Sequence, residues 1–120
     1  MNPTIAQQFA EDWINAWNGH DVDRILLHYD EAVEFYSPLV QKVLGEPSGM
    51  IRGKTALRDY FTKGLAAYPD LHFDLQNVLT GVRSVTLYYR SVNDLLSAEV
   101  MVFNEQNQVI TVYAHYADRK

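Results

Sequence analysis

The chain has no cysteine among its 120 residues. Disulfide bonds and thiol chemistry are therefore excluded, and the composition fits a reducing compartment, so we predict a cytoplasmic protein. The sequence has no apolar run long enough to cross a membrane, and its amino-terminal segment MNPTIAQQF lacks the basic and apolar regions of a signal peptide. These absences predict a protein that does not associate with membranes.

Clusters of basic residues are also missing. Lys and Arg total 10 against 15 Asp and Glu, which gives a formal net charge of -5. Nucleic acids and anionic membranes are bound through basic surfaces, so neither is expected as a partner. The glycines do not form a phosphate-binding loop, and no His and carboxylate residues stand at metal-ligand spacing on one face. We therefore expect no cofactor and no metal ion.

Apolar residues recur at helical spacing near the start of the chain. Asn2 is a typical helix N-cap, and Pro3 is well tolerated in a first turn. Four apolar residues then recur at every fourth position: Ile5, Phe9, Trp13 and Trp17. This recurrence predicts one apolar face of a helix that ends at Gly19. A short second helix, capped by Asp21, is expected to follow.

The rest of the chain changes from helices to strands. Residues 32–37 alternate like a strand that Pro38 ends, and residues 39–53 are predicted to form an irregular loop with a short extended piece. A third helix follows and ends at Pro69. Four further strands are predicted at 71–79, 83–92, 97–104 and 109–117. Helices followed by consecutive hairpins predict an α+β fold with antiparallel pairing, in a single domain over residues 1–120.

The last predicted hairpin brings a carboxylate among apolar side chains. A turn at Gln106-Asn107 gives these opposed pairs: Phe103 with Ile110, Met101 with Val112, Glu99 with Ala114 and Ser97 with Tyr116. Because the side-chain period of a strand is two, these residues share one face. An ionised Glu99 is costly there, so we expect a hydrogen bond or a raised pKa, as in a general acid or base. The alternative is an exposed carboxylate at the end of a strand.

The opposite face of this hairpin is also largely apolar. A sheet with one face in water would alternate cleanly between apolar and polar residues, and this hairpin does not. We therefore predict a homodimer, with much of the contact formed by the outer face: Val100, Val102, Tyr113 and His115.

Three segments of the chain together resemble a known superfamily. They are FAEDWINAWNGHDVDRILLHYDEAVEFYSP, GMIRGKTALRDYFTKGLAAYPDLHF and the closing VYAHYAD. In order and spacing they resemble the nuclear transport factor 2-like superfamily, and within it the SnoaL-like and ketosteroid isomerase-like small proteins. The resemblance implies a cone of curved antiparallel sheet wrapped around N-terminal helices, usually dimeric through the outer face. Because the superfamily contains isomerases, cyclases, dehydratases, epoxide hydrolases and binding proteins, it implies no single activity.

The resemblance to the steroid isomerases is incomplete at the site. Trp13 stands where those enzymes have a tyrosine that donates to an oxyanion, and Ser37 stands where they have the carboxylate base. Glu99 keeps the carboxyl group of their second acid. Since serine cannot act as that base, steroid isomerisation by the family mechanism is not expected.

A ligand cavity between the first helix and the sheet is predicted from these patterns. Glu99 is the expected acid or base, and Trp13, Tyr36 and Tyr116 are the expected catalytic donors. The expected ligand-pocket residues are Trp17, Tyr29, Phe61, Met101, Phe103 and Val112. Arg90 would reach Glu99 only through a one-residue bulge. Two functions stay open: an isomerase, cyclase or hydrolase acting on a hydrophobic small molecule, and a non-catalytic ligand-binding or dimerisation module.

Overall fold

The computed structural model describes residues 1–118 and begins with two capped helices. Helix α1 spans Pro3–Asn18, and the side chain of Asn2 accepts a hydrogen bond from the Ile5 N–H. Helix α2 spans Val22–Leu26 and is capped in the same way by Asp21. Ile5 is exposed, so the buried face of α1 begins one residue later. That face consists of Ala6, Phe9, Ala10, Trp13, Ile14, Ala16 and Trp17.

A helix occupies part of the segment predicted as an irregular loop. Strand β1 spans Tyr29–Tyr36, helix α3 spans Pro38–Leu44 and strand β2 spans Met50–Arg52. The loop prediction was therefore wrong for α3, while the short extended piece is confirmed. Pro38 ends the strand and also starts a helix, because a proline suits the first turn and the Ser37 hydroxyl accepts from the Leu39 N–H at 3.2 Å. The helix ends at Gly45, whose φ of 66° places it in the left-handed region.

The remaining elements follow the predicted order with shifted ends. Helix α4 spans Lys54–Ala67, and strand β3 spans Asp74–Gly81. Strands β4, β5 and β6 span Ser84–Arg90, Leu96–Phe103 and Val109–Tyr116. A short 3-10 turn over Val92–Asp94 joins β4 to β5. None of the helices described within residues 1–118 has the length and apolar character needed to cross a membrane.

The strands form one curved, unclosed sheet in the order β2-β1-β6-β5-β4-β3. All neighbouring strands are antiparallel except β1 and β6, which are parallel. A wholly antiparallel sheet had been predicted from successive hairpins, but no hairpin joins these two strands, so their direction is not set by a turn. Helix α1 packs on β3 and α4 packs on β1, which places the helices against the inner face. The α+β class and the sheet wrapped around helices are confirmed.

The last hairpin keeps most of the predicted register. Glu99 lies opposite Ala114, and the pairs of Ser97 with Tyr116 and Met101 with Val112 are also confirmed. Phe103 lies opposite Val109 and not Ile110, because the register shifts by one residue next to the turn. The Asn104 side chain accepts from two N–H groups inside that turn. The inner residues of β5 alternate as predicted and include a buried Glu99.

Candidate functional site

A cavity of about 290 Å³ opens between the helices and the inner face of the sheet. Trp13 and Trp17 of α1 line one side, and Phe61 of α4 lines another. The strands contribute polar groups to an otherwise apolar wall, among them Tyr89, Glu99 and Tyr116. The unpredicted helix α3 also contributes, together with the end of α4, to the mouth, where three apolar side chains are exposed: Val43, Leu44 and Tyr68.

Glu99 lies on the cavity wall and is almost completely buried. Its exposed fraction is 6%, so the alternative of an exposed carboxylate at the end of a strand is wrong. Burial raises the pKa of the Glu99 carboxyl to about 8, while a hydrogen bond from Tyr89 acts in the opposite direction. A carboxyl group with such a pKa exchanges its proton near neutral pH, which is the property that a general acid or base needs.

The hydrogen-bond donor to Glu99 is Tyr89, which is not among the site residues predicted from the sequence. Tyr89 lies on β4 on the same face as Leu87, which is directly opposite Glu99 on β5. Arg90 points to the other face, because β4 and β5 pair without a bulge and Arg90 lies opposite Leu96. The period of two that assigns Arg90 to the outer face assigns its neighbour Tyr89 to the inner one, so this signal was present in the sequence.

The other donors that were predicted for Glu99 have different partners. The Trp13 indole N–H donates to the hydroxyl of Tyr29 at 3.0 Å. The Tyr36 hydroxyl donates to Glu34 at 3.2 Å, and its ring stacks on Tyr113 with ring centres 5.0 Å apart. Tyr36 therefore belongs to the outer face and does not line the cavity. Its prediction as a catalytic donor was wrong, because residue 36 alternates away from the buried Phe35.

Four phenol groups surround the Glu99 carboxyl: Tyr29, Tyr60, Tyr89 and Tyr116. Burial raises the pKa of each of them, and the charge of Glu99 adds to this rise. For Tyr116, a hydrogen bond with Ser37 acts in the opposite direction. The phenols therefore keep their protons at neutral pH, and the carboxyl is the group of this cluster that titrates there.

Several residues predicted to line the pocket belong to the solid core instead. Trp17 and Phe61 do line the cavity, but Met101, Phe103 and Val112 are nearly or fully buried and are not among its lining residues. Phe103 packs edge-on against Phe9 of α1 with ring centres 5.0 Å apart, so the helix fills the space above it. Tyr29 is likewise buried, with its hydroxyl used by Trp13.

Two polar atoms of the cavity residues are buried without a hydrogen-bond partner in the described part of the chain. They are Nε1 of Trp17 and Oε2 of Glu99. A buried polar group that lacks a partner is costly and rare in native proteins. Within residues 1–118, no three His, Asp or Glu side chains come together in a way that could hold a metal ion.

The hydrogen bond from Tyr89 to Glu99 leads to a prediction for the pKa of the Glu99 carboxyl. Because this bond stabilises the carboxylate, Tyr89→Phe should raise the pKa of Glu99 above that of the wild-type protein. The side-chain carboxyl carbon of Glu99, followed by NMR from acid to alkaline pH, reports the midpoint. Tyr60→Phe is the control, since Tyr60 lines the same cavity and makes no such bond to Glu99. An unchanged midpoint in Tyr89→Phe would contradict the assignment.

Comparison with known proteins agrees with this geometry. A family model for the SnoaL-like domain matches residues 10–117. A SnoaL-like protein of unknown function from Burkholderia thailandensis is 43% identical to this chain. The match covers 98% of each chain, and the two structures superpose with a TM-score of 0.96. No curated protein sequence matches the chain.

Two more distant structures share the fold alone. A protein of unknown function with a cystatin-like fold from Methylobium petroleophilum has 13% identity and a TM-score of 0.78, over 100% of this chain and 80% of that one. SalBIII, an epoxide hydrolase/cyclase-like enzyme in pyran ring formation in the polyether salinomycin, has 15% identity and a TM-score of 0.76, over 97% and 93%. The family match over nearly the whole chain and the 43% identical relative confirm the resemblance: the chain belongs to the SnoaL-like domain family.

Proposed function

We propose that the protein is a cofactor-independent enzyme, an isomerase, cyclase or hydrolase that acts on a hydrophobic small molecule by acid-base chemistry. The observation that carries this proposal is the buried carboxyl of Glu99 on the wall of an apolar cavity, with a pKa raised to about 8. Such a combination of burial, shifted pKa and access from a cavity is typical of catalytic acids and bases. The absence of cysteine fits action in the cytoplasm.

The hydrogen bonding of Glu99 indicates how the group would work. Tyr89 holds the carboxyl through one hydrogen bond. Oε2 has no partner within the described residues, and it is the atom proposed to meet the substrate. At neutral pH the protonated carboxyl gives its proton to a substrate oxygen as the bond from that oxygen to carbon breaks. A hydroxyl group of the substrate, or water, forms the new bond to that carbon and returns its proton to the carboxylate. Tyr116, on the same wall, is the proposed second donor to the substrate oxygen.

The roles first expected for the other aromatic residues change accordingly. Trp13 uses its indole N–H within the protein, so it is proposed to form the wall and to hold Tyr29 in place.

The distant likeness to an epoxide hydrolase/cyclase-like enzyme supports only the point that this fold can carry such chemistry. The same fold also carries proteins without known function.

Turnover of small molecules is the test of this proposal. The purified protein is incubated with uncharged epoxides, hydroxy-epoxides and enones of two-ring size, and the products are followed by mass spectrometry. Products that form with the wild-type protein and not with Glu99→Gln support the proposal. Tight binding of the same compounds by both proteins, with no turnover by either, contradicts it.

A ligand-binding role without catalysis is the second candidate. The apolar lining of the cavity favours it, because such walls retain hydrophobic molecules without reacting with them. In that case Glu99 contributes a hydrogen bond, and glutamine can supply a similar one. Tight binding of a ligand by the wild-type protein and by Glu99→Gln, with no turnover of that ligand by the wild-type protein, would therefore favour the binding role.

We further propose that the protein forms a homodimer through the outer face of the sheet. Tyr113 is exposed there and stacks on Tyr36, and Val100 and Val102 of the neighbouring strand are half-buried. An apolar surface of this kind on a sheet face is typical of an interaction site. His115 lies at the edge of the same face.

Sedimentation velocity at micromolar concentration should show the dimer. Tyr113→Glu should shift the population to monomer, because the added charge would be buried in the contact. Leu27→Glu is the control, since Leu27 is exposed at the end of α2, which packs on the helices α1 and α4. A wild-type protein that sediments as a monomer would contradict the proposal.

A further inference from the structure

Trp17 is a buried hydrogen-bond donor with no partner within residues 1–118. Its exposed fraction is 8%, and its Nε1 has no acceptor in the described part of the chain. Phe61 meets the indole edge-on with ring centres 4.7 Å apart, and Phe73 lies at 5.3 Å. Neither ring offers a conventional acceptor. These aromatic contacts hold the indole in the cavity wall.

Trp13 gives an internal comparison for this residue. It lies one turn earlier on the same helix, lines the same cavity and is also buried. Its N–H, however, donates to the Tyr29 hydroxyl at 3.0 Å. The two indoles differ in their hydrogen bonding, because within residues 1–118 the Trp13 N–H has an acceptor and the Trp17 N–H has none. A buried donor without a partner is unfavourable, so a ligand acceptor that meets it gains affinity.

We propose that Trp17 is a specificity residue that donates its indole N–H to an acceptor oxygen of the ligand, while Glu99 binds a second polar position of the same molecule. The ligand is an uncharged, mainly alicyclic or aromatic compound with a carbonyl, ether or epoxide oxygen. This inference rests on the proposed ligand-binding role of the cavity and adds the substrate class to it.

The charge and size of the cavity support this class. Glu99 and Lys63 are the charged side chains on the wall among the described residues, and Lys63 is exposed at the mouth. The interior therefore has no fixed cation that would pair with an anionic ligand. A volume of about 290 Å³ is at the small end of the range for ligand pockets, which suits a molecule of about two fused rings.

A matched pair of probes tests the role of Trp17. 2-Acetylnaphthalene and 2-ethylnaphthalene have nearly the same shape, but only the first carries a carbonyl acceptor. The wild-type protein should bind the ketone about tenfold more tightly, since one net hydrogen bond contributes on the order of a kcal/mol. Trp17→Phe should reduce this ratio to about one, because it removes the donor and keeps an aromatic ring. Tyr88→Phe, on the outer face of β4, is the control and should keep the ratio.

A second measurement uses the wild-type protein alone. The two indole N–H groups give separate proton–nitrogen NMR signals, which the Trp→Phe variants assign. The ketone should move the Trp17 proton signal downfield, as a new hydrogen bond does, and leave the Trp13 signal close to its position. The hydrocarbon probe should produce no comparable downfield shift.

Three results would overturn the inference. Equal affinity of the wild-type protein for the two probes would show that water satisfies the Trp17 N–H as well as the ketone does. A ratio that persists in Trp17→Phe would place the acceptor elsewhere. Tighter binding of 2-naphthylmethylamine than of the ketone would replace the uncharged class by a cationic one. These readouts are affinities and NMR shifts, so they stand apart from turnover by Glu99.

Discussion

The free energy of unfolding should decrease by about 3 to 4 kcal/mol as the pH rises from about 5 to about 8, through Glu99 alone. Burial raises the pKa of this carboxyl in the folded protein to about 8, against 4.5 for an ordinary glutamate. Between these two values the folded state holds one more proton than the unfolded state, so stability falls as the pH increases. Below the lower value the contribution is complete, and above the higher value it is lost.

Urea unfolding at a series of pH values in this interval measures the effect. Glu99→Gln has the same shape without the titration, so its stability should depend less on pH and should exceed that of the wild-type protein at pH 8 and above. Glu105→Gln, in the exposed turn of the last hairpin, is the control and should keep the wild-type slope. Parallel pH dependence in the wild-type protein and Glu99→Gln would show that the carboxyl is not desolvated as described.

Loss of catalysis in Glu99→Gln is the second large effect that we expect. Glutamine cannot give or take the proton, so the rate should fall by about a hundredfold or more, the usual contribution of a general acid or base. Substrate affinity should change little, because the amide occupies the same space and can still form a hydrogen bond. The measurement is kcat and KM for whichever substrate the turnover assay identifies, with Tyr60→Phe as a control from the same wall.

The pH profile distinguishes the acid role of Glu99 from a merely structural one. If the protonated carboxyl is the reacting form, the wild-type rate should decline above about pH 8, where the proton is lost. Tyr89→Phe should move this decline to higher pH, because its hydrogen bond lowers the pKa of Glu99. A rate that Glu99→Gln leaves intact would contradict the catalytic assignment outright.

The position of Glu99 could be predicted because it depends on local rules. The period of two along β5 and a turn near Gln106 were enough to place it opposite Ala114, on the buried face. The one-residue shift at Phe103 was not predicted, since it depends on the hydrogen bonds of the Asn104 side chain inside the turn. This error is confined to the end of the hairpin and does not reach Glu99.

The outline of the cavity could not be predicted from the same rules. Periodicity says which face of a strand a residue lies on, and it says nothing about position along the strand. Met101 and Glu99 share a face, yet Met101 is fully buried in the core and Glu99 reaches the cavity. Helix α3 was missed because Pro38 was interpreted only as the end of a strand, and its residues form part of the mouth. The first error concerns tertiary packing, and the second concerns a local signal, the Ser37 cap followed by a proline in the first turn.

The parallel pairing of β1 with β6 has a consequence for how the protein folds. Strand β6 lies between β1 and β5 in the sheet, although it is the last of the strands to be synthesised. Until it inserts, β1 and β5 each present an unpaired edge, and such edges are prone to bind other chains. The sheet can therefore be completed only after the whole of β6 has left the ribosome, through a contact distant in sequence that closes slowly. Nascent chains of this protein should depend on protection from aggregation until that step.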